Sequence, residues 1–173
     1  GFNMDNLVRA QLAKNDLVAA PMAGISTTPF RKLLRDYHDG LIFTEMVSVE
    51  GVKRDNPHST EFLDIMEEGN PPGSKADRPV VAQLFGGNPA SYPEALEVAE
   101  RYSAPDAYDI NMGCPVKKVI KTGGGCALLQ NLPKIAEIIR AVRKGTERPF
   151  SVKIRTGWDD SKLVYNEILD IAQ

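Results

Sequence analysis

The sequence predicts an α/β protein with a parallel sheet, because short apolar runs alternate along the chain with segments of helical periodicity. The runs are continuously hydrophobic, which is typical of strands covered on both faces. They cover residues 17–20, 41–44, 80–85, 107–111 and 150–154. This order fits either a five-stranded doubly wound sheet or part of a (β/α)₈ barrel, and spacing alone does not choose between them.

Helical segments are predicted between these runs. Thr28 and Pro29 fit the cap and first turn of one helix. Ser91 has Glu94 three residues further on, the spacing of a capping box, and predicts the start of another. A short helix is expected near residues 46–53.

The clearest helical pattern follows Asn131, which is placed to cap it. Its apolar stripe has one-face spacing and consists of Ile135, Ile138, Ile139 and Val142. Gly145 stands where a left-handed helix stop is expected. A last helix is predicted from about Ser161 to the end, and residues 69–77 are a turn-rich loop.

Composition excludes several classes of protein. The chain has 173 residues, 25% of them charged, and a net charge of -2, so it has no basic excess that would by itself indicate nucleic-acid binding. Two cysteines and two histidines predict neither a zinc site nor a disulfide framework, which fits a reducing cytoplasm. No apolar run approaches the ~20 residues of a membrane span.

Polar residues within or at the ends of the predicted strands point to a binding site. Gln83, Asn111 and Lys153 occupy apolar runs, where an unpaired amide or ammonium costs several kcal/mol. A flat heteroaromatic ring with carbonyls and ring nitrogens would supply partners for them. The alternative is that Gln83 and Asn111 only tie neighbouring backbone together.

Cys114 lies between Gly113 and Pro115, immediately after a predicted strand. A free cysteine is most often a small buried hydrophobic residue. Here the flanking residues fix the backbone, so the thiol is expected to face the end of the sheet. It could act there as a nucleophile or as a proton donor, and the lack of a histidine nearby in sequence favours the proton donor.

Two further features lie close to this cysteine in the sequence. Residues 123–125 are three glycines without the flanking pattern of a nucleotide-binding loop, and we interpret them as a mobile loop near the thiol or a plain connection. Lys117, Lys118 and Lys121 form a local positive patch. Such a patch is usually only solvated surface, although its position suits an RNA phosphate.

Four ordered segments resemble the tRNA-dihydrouridine synthases, flavoenzymes that reduce a uridine of tRNA. The segments are APMAGISTTPFRKLLR, VAQLFG, DINMGCPVKKV and VKIRTGW, and the resemblance extends from about Leu17 to Trp158. It implies a TIM barrel that binds FMN at its mouth, with NADPH as reductant and hydride transfer from the flavin to uracil C6.

The resemblance also implies roles for individual residues. Cys114 is implied to be the catalytic acid that protonates uracil C5. The residues implied to bind the cofactor are Pro21, Met22, Ala23, Gln83, Asn111 and Lys153. Those implied on the substrate side are Asn111, Lys118 and Arg155. No metal ion is implied.

Compared with the resembling family, residues 1–16 are expected to be an N-terminal segment and residues 17–173 the N-terminal portion of an FMN-binding TIM barrel. The chain is thus expected to hold about the first five βα units of a truncated barrel. The remaining strands and the C-terminal helical tRNA-binding domain are expected to be absent, and Cys126 replaces the usual Ser or Ala. An open barrel edge would favour self-association, and the isolated chain is expected to bind FMN weakly and turn over little tRNA. The alternatives are an FMN reductase of free pyrimidines and a non-catalytic half barrel. A flavodoxin-like electron carrier would leave Cys114 and Lys153 without a role.

Overall fold

The computed structural model describes residues 5–65 and 77–172 and confirms an α/β fold with a parallel sheet. The strands are β1 (Ile42–Ser48), β2 (Val80–Phe85), β3 (Ala107–Met112) and β4 (Phe150–Ile154). They lie side by side in chain order, and the sheet does not close within these residues. Sequential order is that of a barrel wall, whereas a doubly wound sheet reverses its order at a switch point.

The first predicted strand, residues 17–20, joins this sheet only at its edge. Ala19 forms a single parallel bridge with Ile42. The Ala19 N–H donates to Leu41 O at 2.9 Å, and the Phe43 N–H donates to Ala19 O at 3.1 Å. Leu17 remains 69% exposed. The segment therefore lies along β1 without the ladder that defines a strand.

Eight helices surround the strands in the described residues. They are α1 (Asp5–Lys14), α2 (Thr28–Arg35), α3 (Val49–Lys53), α4 (Pro57–Thr60), α5 (Tyr92–Tyr102), α6 (Lys117–Ile120), α7 (Leu132–Gly145) and α8 (Tyr165–Ala172). Three short 3₁₀ segments add Glu61–Leu63, Pro89–Ser91 and Gly125–Gln130.

Two predicted helix starts are wrong. The helix expected over residues 46–53 begins only at Val49, because β1 continues through Ser48, whose side chain accepts from the Gly51 N–H. The last helix begins at Tyr165 and not near Ser161. Ser161 instead closes a turn, its N–H donating to Asp159 Oδ1 at 2.9 Å.

Only some of the helix caps predicted from the sequence are present in the structure. The Asn131 side chain accepts from the Lys134 N–H at 3.0 Å, which confirms that cap, whereas Thr27 rather than Thr28 is the cap residue of α2. Ser91 precedes α5 as predicted but makes no capping bond, because its hydroxyl donates to Glu50 Oε1 at 2.5 Å.

Gly145 does not stop α7 in a left-handed conformation. It is the last helical residue, and the next residue, Thr146, is extended with φ -154°. A Cβ at Gly145 would lie 2.9 Å from Pro93 Cα and 2.8 Å from Leu96 Cδ1. The glycine is therefore needed because α5 and α7 approach closely at this point.

The apolar core lies between the sheet and the helices. One face of the strands, including Leu84, Tyr108 and Ile110, packs with the buried sides of α5 and α7. The opposite face would line the interior of a barrel. Near the amino ends of the strands it has a small apolar cluster that includes Val81 and Ala107. Polar residues follow on this inner face towards the carboxyl ends of the strands, where a barrel carries its active site.

A buried ion pair joins α2 to the segment before β2. Arg31 Nε donates to Asp77 Oδ2 at 3.0 Å, and both side chains are at most 1% exposed. The same guanidinium donates to Ser26 O at 2.8 Å and to Asp64 O. The rest of the predicted loop over residues 69–77 lies outside the described residues.

Candidate active site

Polar side chains from three neighbouring strands share one face of the sheet. In the strand register Gln83 is paired with Asp109, and Asp109 is paired with Ser151. Two residues further towards the carboxyl ends of the strands, Asn111 is paired with Lys153. Residues paired in this way point to the same side of a parallel sheet, as do residues two apart along one strand. The sheet therefore brings together the predicted residues Gln83, Asn111 and Lys153.

A chain of hydrogen bonds connects the buried members of this group. Ser151 Oγ donates to Asp109 Oδ1 at 2.6 Å, and Gln83 Nε2 donates to Asp109 Oδ2 at 2.7 Å. Asn111 Nδ2 then donates to Gln83 Oε1 at 3.0 Å. The two amides thus have protein partners, as the alternative interpretation of Gln83 and Asn111 required, and this does not exclude ligand contacts through their remaining N–H groups.

Asp109 is the residue of this group that the sequence prediction missed. It is only 2% exposed, and burial raises the pKa of its carboxyl to about 6, opposed by hydrogen bonds from Ser151 and Gln83 and by the Lys153 charge. Its position inside an apolar strand, two residues before Asn111, was the available signal, because the period of a strand puts both on one face.

Asn111 also holds the turn that carries Cys114. Its Oδ1 accepts from the Gly113 N–H at 3.1 Å and from the Cys114 N–H at 2.9 Å. The Cys114 carbonyl accepts from the Cys126 N–H at 3.0 Å. Cys114 is half-buried whereas Cys126 is buried, so the thiol that follows β3 is the more accessible of the two.

The three glycines at residues 123–125 pack tightly against the loop that follows β2. A Cβ at Gly87 would lie 2.5 Å from Gly123 C, and one at Gly124 would lie 3.0 Å from Gly86 C. Gly125 has φ +58°, and a Cβ there would lie 2.5 Å from Cys114 O. The glycines therefore let two backbone loops touch directly beneath the cysteine turn.

The backbone turn after residues 17–20 is held by two side chains. Ser26 Oγ accepts from the Met22 N–H at 2.9 Å and donates to Ala20 O at 3.1 Å. Glu45 Oε1 accepts from the Gly24 N–H. These bonds fix the backbone of the predicted cofactor residues; Pro21 and Met22 are half-buried, and Ala23 is exposed.

The predicted cationic residues are all exposed. Lys153 lies on β4 and Lys118 on α6, and Arg155 follows β4. The position of a Cβ at Gly113 is 3.3 Å from Arg155 Cγ, so the Arg155 side chain lies against the cysteine turn. Positive charge thus follows β3 and β4 at the carboxyl end of the sheet.

Comparison with known proteins identifies the family. The family model described as Dihydrouridine synthase (Dus) matches residues 17–173. The chain belongs to the dihydrouridine synthase family. The resemblance predicted from the four sequence segments is therefore confirmed.

Curated relatives carry the same family description. The chain is 39% identical over 145 residues to tRNA-dihydrouridine synthase B of Pseudomonas aeruginosa, covering 84% of this chain and 41% of that protein. It is 36% identical over 163 residues to tRNA-dihydrouridine synthase B of Pasteurella multocida, covering 92% of this chain and 46% of that protein. The chain thus spans somewhat less than half the length of these relatives.

Two kinds of feature were not found in the part of the chain that the structure describes. No group of His, Cys, Asp and Glu residues there could hold a metal ion. No helix among those residues is both long and apolar enough to cross a membrane.

Proposed function

We propose that this chain forms the flavin- and uracil-binding half of a tRNA-dihydrouridine synthase, an oxidoreductase that reduces a uridine of tRNA to 5,6-dihydrouridine. The proposal rests on the position of Cys114, taken together with the membership of this chain in the family. The thiol follows β3 directly, on a turn held by Asn111, and Asn111 in turn bonds the buried Gln83 amide and is paired with Lys153 in the strand register.

The side chains present fit FMN. The ring system of FMN carries carbonyl oxygens and ring nitrogens that can accept hydrogen bonds. The Gln83 and Asn111 amides each keep one N–H that bonds no polar oxygen or nitrogen of another side chain in the described residues. That N–H of Asn111 has only a 3.7 Å contact with Met46 Sδ. Lys153 adds a cation that favours a ring bearing negative charge. The Pro21–Met22–Ala23 backbone would complete the cofactor contacts.

The reaction adds one hydride and one proton across the C5=C6 bond of uracil. FMN, when bound, supplies the hydride to C6, and its electrons come from NADPH. Cys114 holds the proton and gives it to C5, and Asn111 keeps the thiol in place through the backbone N–H of Cys114. We assign Arg155 and Lys118 to the substrate side, since both side chains are exposed cations that could pair with phosphates.

The proposed partners follow from this reaction. We take tRNA as the substrate and the cytoplasm as the location of the protein. We also include self-association through the outer edge of β4, which has no strand partner among the described residues.

FMN binding tests the proposal directly. We expect titration of FMN into the purified chain to give a protein-bound flavin spectrum with saturation at about 1:1 and weak affinity. Lys153→Gln should weaken binding further, and Lys144→Gln should not, because Lys144 is exposed at the far end of α7. No bound flavin in the wild-type chain at any FMN concentration would contradict the proposal.

Product formation tests the role of the thiol. With FMN, NADPH and tRNA, mass spectrometry should detect slow formation of dihydrouridine by the chain, and Cys114→Ala should lower the rate by about 10²-fold or more. Cys126→Ala is the matched control and should change the rate little. Reduction of free uracil with none of tRNA would instead select the free-pyrimidine reductase.

A further inference from the structure

The buried amides of Gln83 and Asn111 form the middle of a hydrogen-bonded relay whose two ends have defined donor and acceptor roles at neutral pH. The O and N atoms of an isolated amide are easily exchanged in a structure, so neighbours must decide the orientation. At one end the Asp109 carboxylate, ionised at pH values above its pKa of about 6, only accepts hydrogen bonds. At the other end the backbone N–H groups of Gly113 and Cys114 only donate.

These ends leave a single consistent orientation for both amides. Because Asp109 accepts, Gln83 must turn its Nε2 towards it and its Oε1 towards Asn111. Asn111 then donates with Nδ2, and its Oδ1 faces the two backbone donors, at 3.1 and 2.9 Å. All four hydrogen bonds agree with this orientation, and reversing either amide would bring two donors or two acceptors together.

We propose that Asp109 is a positioning residue, which fixes the orientation of the Gln83 amide and, through Asn111, the turn that carries the Cys114 thiol. The importance of this relay for uridine reduction rests on the proposed function. The relay itself is a property of the ligand-free chain and can be tested without FMN or tRNA.

The relay also limits what a ligand can offer to Asn111. Its Oδ1 already accepts two backbone hydrogen bonds, so what it can still offer a ligand is the N–H that does not bond Gln83, which has only a 3.7 Å contact with Met46 Sδ. A ring atom that meets Asn111 in the site is therefore an acceptor, such as a carbonyl oxygen, and not a ring N–H. Without the Asp109 anchor, this preference for acceptors would be weakened.

Two substitutions at residue 109 separate acceptor geometry from shape. Asp109→Asn can keep its oxygen towards Gln83 and turn its NH₂ towards Ser151, whose hydroxyl can accept. Asp109→Leu has a similar shape but no acceptor. We expect hydrogen exchange of the Gln83 side-chain NH₂, followed by NMR, to accelerate roughly fivefold to tenfold in D109L and to stay near wild type in D109N.

The positioning role requires that the effect reach the cysteine turn. Exchange of the Gly113 and Cys114 backbone amides should also accelerate in D109L, whereas β3 amides bonded to β4 should not. Asp106→Asn, at the amino end of β3, is the control and should leave the turn unchanged. Unchanged turn amides in D109L, or equal acceleration in D109N and D109L, would overturn the proposal.

A second measurement decides the matter if D109L does not fold. Couplings through hydrogen bonds in the wild-type chain should connect Gln83 Nε2 with Asp109 Cγ, and the Gly113 and Cys114 amide nitrogens with Asn111 Cγ. Their presence supports the relay, and their absence, with protected signals elsewhere, refutes it. Because both measurements use ligand-free protein, a failure to bind FMN would reject the proposed function and leave this result untouched.

Discussion

A buried carboxylate at residue 109 lowers the stability of the fold at neutral pH. Burial raises the pKa of Asp109 from 3.8 to about 6, against hydrogen bonds that favour the ionised form. The folded state therefore binds this proton more tightly than the unfolded state does. The corresponding stability is fully present below pH 3.8 and is lost as the pH rises through about 6.

Asp109→Asn should remove this pH dependence, because its amide does not titrate. We expect the free energy of unfolding of the wild type, relative to D109N, to fall by about 2–3 kcal/mol between pH 4 and pH 7, measured by urea denaturation. Ser151→Ala should move the decline to higher pH, since it removes a hydrogen bond that lowers the pKa. Parallel curves for wild type and D109N would show that the carboxyl is not perturbed.

The Arg31 side chain connects several segments and should contribute strongly to stability. Arg31→Met would leave Asp77 buried without this partner and would remove a donor from the Ser26 carbonyl. We expect a loss of about 3–5 kcal/mol in the free energy of unfolding. Lys14→Met breaks an exposed ion pair with Asp39 and should change stability little. Similar losses in the two variants would contradict this interpretation.

At the scale of elements, the loops after β2 and β3 depend on direct backbone contact. Gly87→Ala would place a Cβ 2.5 Å from both Gly123 C and Thr122 O, so the two loops must separate. We expect a loss of roughly 1–3 kcal/mol in unfolding free energy. Gly113→Ala is the control, because its nearest contact is the flexible Arg155 side chain at 3.3 Å. Equal stability of G87A and wild type would show that the loops yield freely.

Elements with strong local signals could be predicted from the sequence, and those set by tertiary contacts could not. The Asn131 cap and the apolar stripe of α7 lie within one segment and were predicted correctly. Ser91 was assigned to a local cap, yet its hydroxyl bonds Glu50, a residue 41 positions away. Gly145 was interpreted as a helix stop because the sequence does not show the approach of α5.

The same limit applied to the candidate site. Gln83, Asn111 and Lys153 were predicted to lie together because parallel strands end at one edge. Asp109 was missed, although its position two residues before Asn111 indicated the same face of the strand; its connection of Gln83 with Ser151 depends on the strand register, which the sequence does not show. The roles of Cys114 and its neighbours in the reaction remain predictions that the proposed experiments test.

At the scale of the whole molecule, the outer edge of β4 exposes backbone N–H and C=O groups of the sheet. The Tyr108 N–H donates to Pro149 O at 3.0 Å, and Val152 is paired with Ile110. In a parallel ladder this arrangement turns the Val152 N–H and C=O away from β3. Among the described residues no strand covers them, and such edges pair readily with another chain.

Sedimentation velocity should therefore show association that increases with protein concentration. Val152→Pro removes the outward N–H without breaking the ladder to β3, and we expect it to shift the chain towards monomer. Circular dichroism checks that the variant keeps its fold. A wild-type sedimentation coefficient that is constant and monomeric over the concentration range would show that this edge does not mediate assembly.

The unequal exposure of the two cysteines has a practical chemical consequence. Cys126 is 1% exposed beneath the glycine loops, whereas Cys114 is half-buried at the surface. Peroxide or an alkylating agent will meet Cys114 first, and oxidation beyond the sulfenic acid stage would destroy its thiol irreversibly. Purification under reducing conditions thus preserves the thiol, and a single fluorescent label can be placed at the mouth of the site without removing Cys126.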